Sequence, residues 1–434
     1  MKMHMKTMIP RDMRSITTLW ATQLLSTLGS SMTSFALIVW AYQQEGSALS
    51  SALLAVCSYA PYVLMSIFAG ALIDRWDRKK TLLICDALAA CGTLTIALLL
   101  HSGGLRLWHL YLINALSGLM NTIQQPAADV TVTLLTPKNR LQRVAGMRAF
   151  SNALTNILAP ALASAMLLGL GMTAVLIFDL VTFAAAFVSL LWLIPIPHTD
   201  KQDKGESLMD SAKVGLKYLQ QHRGVLYLML LLAGINLVAS MFNATLPAMM
   251  LSRNGGSEAA LATIQTVTGV AMLAGSFIAS VLPQPKSRVR VIMNALLLSM
   301  STENFCLALG RSLPVWCVGA VLGWIAIPLM NTNMEALLRG YIPIDIQGRV
   351  WAARNTFQFF TIPIGYLLGG WLVDRVFEPL MAAQSAGSWL TALFGQGKGS
   401  GAAALFLLLG FAGVIICLAA RNNRAIRTLE EDQP

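Results

Sequence analysis

Twelve runs of apolar residues, each about twenty residues or more, dominate this chain and leave little room for any other organisation. They fall at 15–42, 49–73, 81–101, 108–130, 144–168, 172–194, 225–250, 258–283, 289–309, 313–338, 350–374 and 402–420. A hydrocarbon core of roughly 30 Å takes about 20 helical residues to cross, so each run is long enough to span a bilayer. In lipid every backbone N–H and C=O must be paired within its own segment, which selects helices. The runs are rich in Leu and Ala and do not alternate, which argues against a barrel. The expected class is therefore all-α and integral to the membrane, with no strand.

A soluble alternative fails on composition. With 56% hydrophobic and 12% charged residues and a mean hydropathy of +0.63, too few polar side chains exist to wet a soluble surface. The opening stretch Met1 to Arg14 is basic and irregular, and no small-residue cleavage site follows the first apolar run, so that run is expected to stay as a helix.

Basic loops resist translocation, so Lys and Arg report orientation. With the N-terminus in the cytoplasm, 26 of the 31 basic residues fall on the inner side; only Arg106, Arg253, Arg311, Arg375 and Lys398 fall outside. Both termini are expected on the cytoplasmic side of the membrane. The same asymmetry explains the net charge of +11 as an inner rim facing anionic lipid, and no nucleic-acid partner is called for.

The six cysteines, Cys57, Cys85, Cys91, Cys306, Cys317 and Cys417, all lie in apolar runs without a Cys-x-x-Cys pair, as small buried hydrophobes do. His4, His101, His109, His198 and His222 are scattered, so no metal, cofactor or catalytic constellation is expected, and the chain is not read as an enzyme. No phosphate-binding Gly-x4-Gly-Lys-Ser/Thr loop appears, which disfavours an ATP-driven pump, and no filter-like loop suggests a channel.

Segment 195–224 opens with Pro195 and Pro197. It continues into an amphipathic stretch with Leu208, Ala212, Leu216 and Leu219 on one face and Lys213, Lys217 and Gln220 on another. It reads as a cytoplasmic linker between a six-helix half at 1–194 and a second at 225–434. A repeat supports the division. Pro137, Arg143, Val144 and Arg148 recur 206 positions later as Pro343, Arg349, Val350 and Arg354, and Asn152 and Thr155 correspond to Gln358 and Thr361. Joining helix 5 to helix 11, this implies twelve helices in two parallel six-helix repeats, the arrangement of transporters with a substrate site between the halves near mid-membrane.

Polar stripes indicate where such a cavity would lie. Gln23, Ser26, Ser30 and Thr33 in helix 1; Asn114, Ser117, Asn121, Gln124 and Gln125 in helix 4; Asn236, Ser240 and Asn243 in helix 7; and Trp324, Asn331 and Glu335 in helix 10 recur at spacings that share one helical face. Interhelical glue explains any one stripe, but one in every third helix favours a shared cavity. Trp20, Trp40, Phe242 and Trp324 are candidates for its apolar surface.

The strongest local motif is Gly70-Ala71-Leu72-Ile73-Asp74-Arg75-Trp76-Asp77-Arg78-Lys79-Lys80 at the inner end of helix 2. Gly70 allows close helix approach, Asp74 can accept charge-assisted hydrogen bonds, and Arg75 and Arg78 offer planar donors. The segment resembles the signature loop of the major facilitator superfamily. That resemblance implies the twelve-helix fold, a place in the cell inner (plasma) membrane and, for Asp74, docking against helix 11 to hold the cytoplasmic side shut. The chain looks most like the drug-exporter branch that includes macrolide efflux proteins and the enterobactin exporter, on Trp20-Ala21-Thr22-Gln23, the segment 74–80, Gln125-Pro126-Ala127 and Gly348-Arg349-Val350. Gly169-Leu170-Gly171 is a faint echo of the exporter motif expected near it.

Proton coupling needs a carboxylate in a span, and an intramembrane ionisable group marks function by default. Asp86, Asp129 and Glu335 sit near inner ends, where ion pairing competes with transport chemistry. Asp179 and Glu303 lie deeper, without Lys or Arg close in sequence. Asp179, with polar neighbours such as Thr182, is favoured. The expected activity is alternating-access export of a small apolar or amphipathic compound, macrolide-like, by proton antiport; the alternative is an exporter or carrier of a specific metabolite or siderophore. The partners are then substrate, protons and lipid. The sequence leaves the oligomeric state open, a monomer being sufficient.

Overall fold

The computed structural model describes residues 13–75, 77–136, 141–194, 208–253, 256–343, 347–421, 423–427 and 429. Within these ranges the side chains of Asp74, Arg75, Asp129, Arg143 and Arg349 are among those outside the description, as are linker residues 195–207 altogether.

Among the described residues every regular element is helical. In order they are α1 (Met13–Glu45), α2 (Ala48–Arg75), α3 (Arg78–His101), α4 (Leu107–Leu135), α5 (Leu141–Leu170), α6 (Met172–Val188), α7 (Leu208–Gln221), α8 (Arg223–Ser252) and α9 (Glu258–Val281). Next come α10 (Arg288–Leu309), α11 (Leu313–Trp324), α12 (Ile327–Tyr341), α13 (Gln347–Phe359), α14 (Thr361–Leu372), α15 (Glu378–Ala382), α16 (Trp389–Phe394), α17 (Ser400–Arg421) and α18 (Arg424–Arg427). A wide π turn, Ser189–Leu193, closes α6, and another, Val373–Phe377, joins α14 to α15.

Eleven stretches, rather than the twelve expected, are long and apolar enough to cross a membrane among the described residues. The difference is α4: at 29 residues it has the length, but Asn114, Ser117, Asn121, Gln124 and Gln125 dilute its apolar character. Exposed Leu170, Trp192 and Phe277 line the outside of the bundle, as lipid-facing side chains do.

Local chemistry explains the ends and breaks. Asp77, Ser257 and Ser287 cap α3, α9 and α10, accepting from Lys80, Ala260 and Arg290 N–H groups at 2.9, 3.0 and 3.1 Å. Two runs expected to be continuous are broken. Pro328 supplies no N–H to the turn that would join α11 to α12, and Pro363 removes the one that would tie α14 to Phe359. The stretch after 374 also carries more structure than expected, namely the π turn, α15 and α16.

Helix α1 packs on α5 and α6, α2 on α4, and α3 on α4 and α6. On the other side α8 packs on α14 and α17, α10 on α11, α12 and α17. The two sets meet where α2 lies along α14 and α5 along α9. One large core runs from Met32 through Leu228, Met249, Ile292, Trp316 and Phe406. Helix α7 packs on α13, and Tyr218 Oη donates to the Tyr341 carbonyl at 3.2 Å. Its buried face holds Gly215, Tyr218 and Leu219, whereas Leu216, expected on the apolar face, is exposed.

We call the end that carries Arg78, Lys79 and Lys80 the basic face and the other end the opposite face. At the opposite face the ends of α1, α8 and α9 surround a cleft of about 640 Å³ lined by Tyr42, Gln43, Ser252, Glu258 and Lys398.

Candidate functional site

Among the described residues three carboxylates are buried inside the bundle, each in a different setting. Asp179 on α6 is held by three hydroxyls from two other helices: Ser30 Oγ on α1 donates to Oδ1 at 3.0 Å, and Thr33 Oγ1 on α1 and Thr93 Oγ1 on α3 donate to Oδ2 at 3.0 and 3.1 Å. Gly29 makes the approach possible, since a Cβ there would lie 3.0 Å from the Asp179 Cα and 2.6 Å from Thr182 Oγ1. Thr182, the neighbour expected to serve the carboxylate, instead donates to the carbonyls of Phe178 and Asp179 at 3.0 Å each. Three donors offset much of the cost of taking this carboxylate out of water.

Asp86 on α3 lies nearer the basic face. Gln124 Nε2 on α4 donates to its Oδ1 at 2.6 Å, and Gln23 on α1 is its other side-chain neighbour, while Oδ2 is buried with no hydrogen-bond partner. The two sites are stacked. Gln23 and Ser30 stand seven residues apart on α1, Asp86 and Thr93 seven apart on α3, so they share faces about 10 Å apart along the helices. Glu303 on α10 has a sparser setting: its Oε1 accepts from Trp324 Nε1 at 2.9 Å. Glu335 pairs with Arg339 at 3.1 Å on the surface of α12.

The expected cavity residues divide. Gln23 and Gln124 converge on Asp86; Ser26 is buried on the same face of α1 as Gln23. Asn114 donates to its own helix at Leu110, and Asn236 spans to the Gln358 carbonyl at 2.8 Å, as interhelical glue does. Asn121, Asn243 and Asn331 remain exposed, one each on α4, α8 and α12.

In the motif region, Gly70, Asp74 and Arg75 lie on the last turns of α2, but their side chains are outside the described residues. Asp77 is the cap of α3, Arg78 begins that helix, and Lys80 is exposed. Lys79 Nζ donates to the Leu191 and Ile194 carbonyls at 3.0 Å each, where a cation suits the end of α6. The repeated arginines are not equivalent. Arg354 is buried, stacks over Trp351 at 4.3 Å and donates from Nε to Gln358 at 3.2 Å, whereas Arg148 is exposed; the side chains of Arg143 and Arg349 are outside the described set.

A model of the Major Facilitator Superfamily matches residues 19–254, more than half of the chain. The chain belongs to the major facilitator superfamily. As a member it is a secondary transporter that moves a small molecule across a membrane. It is 21% identical over 364 residues to Macrolide efflux protein A of Streptococcus pyogenes, covering 83% of this chain and 89% of that protein. With an uncharacterized MFS-type transporter of Bacillus subtilis it shares 22% identity over 379 residues, 84% of this chain and 88% of the other. Solved structures share its fold at low identity. A POT family transporter in complex with 5-aminolevulinic acid superposes with a TM-score of 0.68 at 13% identity, over 94% of this chain and 95% of that one. A bacterial homologue of the iron transporter ferroportin, in an inward-facing state, gives 0.67 at 15% over 95% and 99%. The nucleoside transporter NupG gives 0.66 at 14% over 94% and 99%.

Two features of this superfamily member escaped the sequence reading. The Glu303–Trp324 bond joins residues assigned separately to a carboxylate set and a polar stripe. Asp374, in the π turn after α14, accepts from α2, and its sequence signal is Gly370-Trp371-Leu372-Val373-Asp374-Arg375, which repeats the Gly-x-Leu-x-Asp-Arg spacing of Gly70 to Arg75.

Proposed function

We propose that this chain exports a specific metabolite-sized compound with hydrogen-bonding groups, by alternating access and in exchange for protons. The basic face is the cytoplasmic one, both termini lie there, and the halves 1–194 and 225–434 rock about the linker 195–224. Exposed amides at Asn121, Asn243 and Asn331, one on each of three helices, are available to pair with a substrate that carries hydrogen-bonding groups.

The observation that carries the coupling is the hydroxyl cradle of Asp179. An ionised carboxylate accepts all three hydroxyl hydrogens; once protonated it becomes a donor, one of Ser30, Thr33 or Thr93 must reverse its O–H to accept, and charge-assisted bonds give way to weaker neutral ones. Protonation thus loosens the contact of α6 with α1 and α3 and shifts the balance between states. Asp86, with its unpartnered Oδ2 two turns toward the basic face, is the next acceptor for the proton on its way to the cytoplasm.

A second reading, export of a macrolide-like drug, is supported by the similarity to Macrolide efflux protein A of Streptococcus pyogenes, which extends over 89% of that protein. Accumulation of a macrolide, a cationic dye and a catecholate siderophore, in exporter-deficient cells with and without the protein and a protonophore, separates the readings. Retention of the macrolide and dye with loss of the siderophore favours the metabolite class; the reverse favours the drug. In proteoliposomes, Asp179→Asn is expected to cut gradient-driven transport at least about tenfold while sparing substrate exchange without a gradient. Undiminished gradient-driven transport in that variant removes Asp179 from the coupling path.

A further inference from the structure

Asp374 lies in the π turn that ends α14, yet its carboxylate is seated on the N-terminus of α2. Oδ1 accepts from the Ala48 N–H at 3.0 Å, and Oδ2 from the Leu49 N–H at 2.9 Å and from Ser47 Oγ at 2.6 Å. The first N–H groups of a helix have no partner within it and carry the positive end of its dipole, so an aspartate there forms charge-assisted bonds. Gly370, one turn earlier on α14, permits the contact: a Cβ there would stand 2.6 Å from the Leu49 Cα. Farther along the same helix pair, Tyr59 and Tyr366 stack with centroids 6.0 Å apart.

We infer that Asp374 is a latch that holds the opposite face shut. It joins an element that follows α14 to the start of α2, across the line where the two helix sets meet, and that face cannot open between α2 and α14 while the three bonds stand. The latch is reversible by construction, because on opening both the carboxylate and the α2 N–H groups emerge at a membrane surface where water replaces their bonds. Its sequence places it in a pair. Gly370, Leu372, Asp374 and Arg375 stand 300 positions after Gly70, Leu72, Asp74 and Arg75, which occupy the other end of α2. One helix carries the motif at its basic end and receives the motif at its opposite end. Asp374 is thus a positioning residue for the transport cycle, biasing which face opens without touching substrate.

This inference rests on the alternating-access reading, and its test needs neither substrate nor proton gradient. Spin labels on Gln44 and Ala383, in full-length protein whose native cysteines are replaced, report the separation of the two helix sets at the opposite face by pulsed electron resonance in lipid nanodiscs. Asp374→Asn is expected to raise the ratio of long to short distances by roughly tenfold, the weight of about one charge-assisted bond. Asp374→Glu should restore part of the short population. Ser47→Ala, which removes the hydroxyl donor and the acceptor of the Ser50 N–H but leaves the Ala48 and Leu49 N–H groups, should raise the ratio about two- to threefold, and it carries the test if Asp374→Asn does not fold. An unchanged ratio in the folded Asp374→Asn protein, or in Ser47→Ala if only that folds, overturns the latch while leaving the transport reading intact; a failed substrate panel alongside a shifted ratio does the converse.

Discussion

Helices α1 to α6 and helices α8 to α17 both bury charge, but they satisfy it with different partners. In the first set, Asp179 and Asp86 are met by hydroxyls and an amide of side chains, groups that rotate about single bonds. In the second set, Arg253 at the end of α8 is met by backbone carbonyls: Nη1 bonds Leu307 at 2.9 Å, and Nη2 bonds Phe394 at 3.1 Å and Ala308 at 3.4 Å. Burial, and the nearby Arg311, lower that guanidinium to about 10, so it stays charged at neutral pH. Arg354 likewise lies against a flat indole. Carbonyls within helices cannot turn without breaking the helix, whereas a hydroxyl can switch from donating to accepting. The donors around Asp179 and Asp86 can rearrange in place, whereas the carbonyls that hold Arg253 are fixed; Glu303, met by the Trp324 indole, follows neither pattern.

The largest effect that sharpens this contrast should come from Arg253→Ala. It leaves three carbonyls short of a donor and is expected to cost about 2–4 kcal/mol, read as a lower melting temperature in detergent, with substrate exchange in the surviving protein unchanged. Arg354→Ala should follow at about 1–3 kcal/mol through loss of its stacking and its bond to Gln358, with exposed Arg148→Ala costing clearly less. Equal losses for the two would mean that the sequence repeat, and not its burial, sets their weight. Thr93→Val removes one of three donors to Asp179 and should cost about 1 kcal/mol, with a shift in the pH dependence of transport and little change in substrate exchange. The smallest effect should be that of Glu303→Gln, because Trp324 Nε1 can donate to the amide oxygen as it does to the carboxylate; coupling should stay within about twofold. Loss of coupling in Glu303→Gln together with retention in Asp179→Asn would invert the contrast.

Much of the architecture is legible in the sequence. Long apolar runs can do nothing in lipid but form helices, and the helices observed lie close to the runs that predict them. The motif at Gly70 to Lys80 and its family were legible because they are local in sequence. The breaks between α11 and α12 and between α13 and α14 fall at Pro328 and Pro363, but Pro61, Pro126, Pro160 and Pro247 lie inside unbroken helices, and hydropathy, which averages over about twenty residues, smooths across both kinds. Helix α4 shows the same weakness in reverse, for the polar residues that give it partners also weaken its apolar signal.

The site was legible as a set of candidates and not as an arrangement. Asp179, Asp86 and Glu303 stood out as carboxylates in apolar runs, a property of composition and depth alone. Which donors surround each was decided by packing between helices far apart in the chain: Thr93 reaches Asp179 across 86 positions, and Ser47 reaches Asp374 across 327. The sequence by itself determined what must be buried, because the cost of placing a residue in lipid depends on its own chemistry. Only the tertiary structure decided which partner offsets that cost, because hydrogen bonds act over about 3 Å and their geometry exists only once the helices are side by side.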